Sequence, residues 1–142
     1  MSKIVADASV VVKWLLPEQP EEPDIPQALA LFEHIMEGAI QLIQPPHWLA
    51  ETGAVLARLA PNLAEDYMGD LLTMEIPVAD SPAVYQRGTK LACQLSHHLF
   101  DTLYHAVALE TDDTVLVTAD VRYYRKSSRE GDIQLLQNWR RK

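Results

Sequence analysis

The order of apolar and polar positions predicts a chain that alternates strands with helices. Ile4-Val5-Ala6 and Thr114-Val115-Leu116-Val117-Thr118 are unbroken apolar or β-branched runs. Continuous rather than alternating apolarity suits strands buried on both faces of a parallel sheet. Ile40-Gln41-Leu42-Ile43, Ile76-Pro77-Val78 and Ile133-Gln134-Leu135-Leu136 are weaker strand candidates. Helical patterns fill roughly 8–16, 26–37, 46–60, 62–73, 82–96, 101–110 and 120–126. Prolines punctuate the junctions, and Pro46, Pro61 and Pro82 fall where a first helical turn tolerates them. The expected class is α/β, a central and mostly parallel sheet of four to five strands flanked by helices.

Length and composition narrow this to one globular domain over residues 1–142, with 48% hydrophobic and 23% charged residues. No apolar run approaches the roughly 18 residues of a membrane helix, and the first residues lack the pattern of a signal peptide. A lone Cys93 fits a reducing, cytoplasmic setting. The net charge of −8 argues against a nucleic-acid binder until its distribution is considered. Residues 122–142 carry a balance of +5 and residues 1–121 a balance of −13. The basic end, with Arg122, Arg125 and Lys126 foremost, is either a solvated terminus or a phosphate-contacting patch, and charge alone does not choose. The segment from Pro17 to Asp24 reads as an exposed acidic loop.

Four carboxylates stand where packing does not ask for them. Asp7 ends the first strand and Asp120 follows the strongest one, and ligands bind beyond the carboxyl ends of parallel strands. Glu51 shares a helix face with Trp48 and Val55, where it needs a cation or hydrogen bonds to offset desolvation. Asp101 opens a late helix. Capping explains the aspartates singly, and an arginine such as Arg58 or Arg87 would explain Glu51. Jointly, the four can meet at one edge of the sheet. At about 4 Å and an effective dielectric near 20, each like-charged pair costs on the order of 4 kcal/mol. Such a cluster must take up protons or a cation, and all-oxygen donors favour Mg²⁺ or Mn²⁺. Ser9 and Thr118 stand two residues from Asp7 and Asp120 and could add hydroxyls to the site, or act as local caps.

Val5-Ala6-Asp7-Ala8-Ser9, Glu51 in a helix, Asp101-Thr102-Leu103-Tyr104-His105-Ala106, and Leu116-Val117-Thr118-Ala119-Asp120 with Tyr123 beyond together resemble the PIN domain. The likeness is nearest to the VapC-type ribonuclease toxins of toxin–antitoxin pairs. It implies a three-layer α/β/α fold, Mg²⁺ or Mn²⁺ on Asp7, Glu51, Asp101 and Asp120, and hydrolysis of RNA. It also implies inhibition by a small antitoxin and a homodimer. Some members carry a further acid after the last aspartate, where this chain has Arg122. Ser9, Thr118, Arg122, Arg125 and Lys126 are the expected substrate contacts. A PIN-type RNA-processing nuclease without an antitoxin, or a non-catalytic interaction module, would share these features. His105, His97 and His98 are expected to be structural, and Trp14 and Trp48 to lie in the core.

Overall fold

The computed structural model describes residues 2–16 and 23–140. Most of the acidic loop and the last two basic residues therefore lie outside the described residues. Four strands, β1 (Lys3–Ala6), β2 (Gln41–Leu42), β3 (Thr114–Thr118) and β4 (Ile133–Leu135), form a sheet of order β2-β1-β3-β4. Every pairing is parallel, with Ile4 opposite Leu42 and Val115, and Leu116 opposite Ile133. The strand predicted at 76–78 is reduced to a single bridge between Gln44 and Val78. Pro77 offers no N–H to a ladder there, so only its carbonyl is used, accepting from Gln44 N at 3.0 Å.

Around the sheet lie α1 (Ala8–Leu15), α2 (Ile25–Met36), α3 (Trp48–Leu59), α4 (Ala64–Thr73), α5 (Pro82–Leu95), α6 (Leu99–Glu110) and α7 (Val121–Ser127). This is the α/β/α arrangement the pattern predicts. The helix α1 is apolar and packs on α2 and α3, with Val10, Val11 and Trp14 buried. Residues 102–108 of α6 are buried without a break, because that helix touches the sheet on one side and α5 on the other. Gly88 permits the close approach of α5 to α6, since a Cβ there would stand 2.8 Å from Leu103 Cδ2. Ser81 caps α5 through Val84 N, with Pro82 in the first turn. Trp48 lies in the core with Trp14, as expected. Among the described residues no helix is long and apolar enough to cross a membrane.

Strand order places the site. From β1 the chain moves to one side to form β2, then crosses to the other side for β3 and β4. The reversal occurs between β1 and β3, and the carboxyl ends of these two strands open a crevice between diverging connections. On the other side of β1, the two-residue β2 is too short to satisfy Ala6. The buried Gln44 side chain takes over, accepting from Ala6 N at 3.0 Å and donating through Nε2 to Ala6 O at 2.7 Å. An amide side chain thus completes the ladder one residue before Asp7. Gln44→Leu strands both backbone groups in the core, and chemical denaturation should show a loss of about 2–4 kcal/mol. Unchanged stability would contradict this role.

Candidate active site

The ends of β1 and β3 are tied by hydroxyls that bracket Asp7. Ser9 Oγ accepts from Ala119 N at 3.1 Å, and Thr118 Oγ1 accepts from Asp120 N at 3.0 Å. Each hydroxyl then donates its proton to one oxygen of Asp7. Asp7 is the residue before α1, in extended conformation, yet its side chain makes no cap; the helix is bonded through its carbonyl, which accepts from Val10 N and Val11 N. Asp120 does cap α7, accepting from Tyr123 N at 3.0 Å. The capping and site readings of Asp120 are therefore compatible, since only one of its oxygens is so engaged.

Helices α3 and α6 bring the other two acids to this edge. Asp101 lies in the first turn of α6, not at its opening: the helix starts two residues earlier, where His98 Nδ1 accepts from Phe100 N at 3.2 Å. Glu51 lies in the first turn of α3, and among the described residues no arginine is paired with it. Tyr104 OH donates to Glu51 Oε1 at 3.1 Å, and His47 Nε2 stands 3.9 Å from Oε2. Arg87 instead faces Glu110 at 3.7 Å. Val55 is half-buried and Leu59 exposed, so the α3 stripe turns outward past Glu51.

His97 is the residue that sequence reasoning missed. Ser96 leaves α5 in the left-handed region, with φ 49°, and turns His97 back toward Asp101. Lys126 Nζ has only protons to offer, so the 3.2 Å contact makes His97 Nδ1 the acceptor. The Nε2–H is then left to donate to Asp101 Oδ2 at 2.8 Å. One ligand atom each of His97, Asp101 and Asp120 lie within 4.8 Å of one another, the single such cluster among the described residues. The four-residue spacing of His97 and Asp101 was a usable signal, but it spans a helix start and not a regular helical face.

Asp7 and Glu51 stand outside that tight group but are coupled to it. The Asp7 carboxyl is pushed up to about 6, chiefly by burial, with the charges of Asp101 and Asp120 adding and the Ser9 and Thr118 donors opposing. Glu51 also rises to about 6, through burial first, then the charges of Asp101 and Asp7, against the Tyr104 hydrogen bond. Burial and the nearby carboxylates hold the Tyr104 phenol well above its usual range, so it remains a donor. Burial lowers His47, whose Nε2–H donates to Phe100 O at 2.7 Å. A raised carboxyl pKa means that the fold binds the proton more tightly than the unfolded chain.

The remaining predicted residues are divided. Ser9 and Thr118 point at Asp7. Lys126 reaches Ser96 O at 3.3 Å besides His97. Arg125 is exposed in a cleft beside Lys126, whereas Arg122 lies on α7 away from that cleft. His105 is structural, bonded to Tyr123 OH at 2.8 Å and Gly131 O at 2.7 Å.

A parallel sheet with acids at its strand ends, beside the point where the strand order reverses, places the chain in the α/β class. The PIN domain model matches residues 4–128, and the chain belongs to that family. A chain of the crystal structure of VapBC2 from Rickettsia felis, bound to a DNA fragment from their promoter, has the same fold. It matches with a TM-score of 0.68 at 13% identity, over 97% of this chain and 99% of that one. No curated protein matches in sequence.

Two outcomes check this electrostatic picture. In metal-free protein the unfolding free energy should fall as pH rises from about 4 toward 6, because Asp7 and Glu51 lose protons that the fold prefers to keep. Thr118→Val removes a donor to Asp7 and the acceptor of Asp120 N. Carboxyl-carbon NMR should place its Asp7 transition above the wild-type value of about 6, with a stability loss of about 1–3 kcal/mol. An unmoved Asp7 titration would contradict the bracket.

Proposed function

We propose that the chain is a Mg²⁺- or Mn²⁺-dependent endoribonuclease hydrolysing RNA phosphodiester bonds, and the toxin of a toxin–antitoxin pair. What supports the reading is the clustering of Asp101 and Asp120 with His97 at the switch point of the sheet, with the Asp7 and Glu51 carboxyls near enough to feel the charge of Asp101. The donor set suits a hard cation. His97 has both ring nitrogens committed, one to Lys126 and one to Asp101, so the free donors are carboxylate oxygens. Asp7 and Glu51 are held up chiefly by burial, with neighbouring negative charge adding to it, and a cation would oppose both effects. Asp7, Asp101 and Asp120 would hold the ion, with Glu51 completing the anionic wall. When bound, a divalent ion supplies charge neutralisation at the scissile phosphate and a water of lowered pKa.

The chain's own residues then position. Ser9 and Thr118 fix the Asp7 carboxylate, with one hydroxyl donor on each oxygen. Tyr104 orients Glu51, and His97 orients Asp101. Either Asp101 or Asp120 is placed to accept a hydrogen bond from the attacking water and align it for in-line displacement. Arg125 and Lys126, close by on α7, contact the RNA backbone. No side-chain nucleophile is required.

The toxin role rests on family membership and on likeness in fold to a chain of the VapBC2 structure bound to a DNA fragment from their promoter. A small antitoxin, a homodimer and a cytoplasmic setting belong to the same proposal. Asp7→Asn, Asp101→Asn and Asp120→Asn should each reduce Mg²⁺-dependent RNA cleavage by at least about 100-fold, the scale of losing a preorganised electrostatic group. Mg²⁺ should also raise the Tm of wild type at neutral pH and leave that of Asp7→Asn nearly unmoved. Cleavage retained by folded Asp→Asn proteins, or a Tm indifferent to Mg²⁺, would contradict the assignment.

A further inference from the structure

Beside the acidic cluster the surface changes sign. Helix α5 carries Arg87 and Lys90 three residues apart, hence on one face. Opposite them α7 and the 3₁₀ turn Ser128–Glu130 present Arg125, Lys126 and Arg129. These five cations line a cleft of about 500 Å³, with Glu130 the one acid in its wall. The chain as a whole has 12 basic against 20 acidic residues, so a wall of five bases to one acid runs against its composition. Arg87 has a distant counter-ion in Glu110 at 3.7 Å. Among the described residues, no carboxylate stands within ion-pair distance of Lys90, Arg125 or Arg129. Cations held together without carboxylates repel one another and favour a bound anion.

The cleft has a definite exit. Lys126, part of its wall, bonds His97, and His97 bonds Asp101. An anion lying in the cleft is thus one histidine away from the carboxylates. A single phosphate would leave most of the cations unpaired, whereas a strand with a charge at every step meets them in sequence. The geometry points to this cleft as the track of a single-stranded RNA, with Arg87, Lys90, Arg125 and Arg129 gripping phosphates on one side of the scissile bond while Lys126 marks the boundary with the acidic site. This rests on the reading of the acids as an RNA-cleaving site and adds Arg87, Lys90 and Arg129, from two other parts of the chain, to its substrate contacts. The cleft also offers a route by which a protein of net charge −8 brings a polyanion to a cluster of carboxylates: attraction acts locally, within roughly one Debye length of about 8–10 Å.

The test separates binding from cleavage. A fluorescent single-stranded RNA of about 12 nucleotides, a length within known single-strand site sizes, is titrated with the full chain in EDTA at several salt concentrations. Lys90→Ala/Arg125→Ala/Arg129→Ala changes exposed positions only. It should weaken binding at low salt by roughly tenfold or more, and flatten the slope of log K against log salt by about 2, near 0.7 for each lost phosphate contact. Arg58→Ala, an exposed cation on α3 that is not part of the cleft's lining, should change neither quantity. Unchanged affinity and slope in the triple variant, an equal loss in Arg58→Ala, or competition by polyglutamate as strong as by RNA would each overturn the proposal. Wild type that binds through the cleft but does not cleave with Mg²⁺ upholds the track and removes the nuclease reading. Wild type that cleaves, with a triple variant that binds undiminished, removes the track alone.

Discussion

Everything at the site depends on holding Asp7 in place against the charges around it. Two hydroxyls do this, each accepting a backbone N–H from the end of β3 and passing its own proton to one Asp7 oxygen. The arrangement fixes donor direction: a hydroxyl that already accepts an N–H turns its proton toward the carboxylate. It also crosses the sheet's switch point, so the same contacts that join β1 to β3 aim the acid. The fold tolerates a buried carboxylate beside Asp101 and Asp120 because these donors offset part of its desolvation, and the remainder appears as a pKa near 6. A buried carboxyl perturbed in this way at the end of parallel strands marks a candidate functional site, and a cation bound there would be expected to lower its pKa.

The strands and most of the helices were legible in the sequence because their patterns are local. Continuous apolar runs gave β1 and β3, and Asp7 and Asp120 followed as strand-end acids. The fifth strand failed at Pro77, where a short apolar run without a second donor makes one bridge and no ladder. The start of α6 was misplaced by two residues, because the expected aspartate cap is replaced by the imidazole of His98. A histidine cap has no strong sequence signature. Gln44 was invisible for a related reason: a polar residue after a weak strand looks like a loop until its amide is seen replacing a missing strand.

Long-range partners were the least legible. Glu51 pointed correctly to a need for compensation, but its partner is Tyr104 and not an arginine, and 53 positions separate the two. His97 was expected to be structural, but nothing in the sequence showed that it joins Lys126 to Asp101. The basic residues near the carboxyl end were visible as a charge bias. Their opposition to Arg87 and Lys90 across a cleft arises only when α5 and α7 are brought together. Acidic centre and basic margin are thus products of topology acting on ordinary local sequence.

The most direct measurement of the central claim is anomalous diffraction from crystals of the protein soaked in Mn²⁺. One strong peak is expected at the carboxyl ends of β1 and β3, with oxygens of Asp7, Asp101 and Asp120 at hard-ion ligand distances of about 2.0–2.3 Å. A peak elsewhere, or a fully soaked crystal with none at this edge, would contradict it.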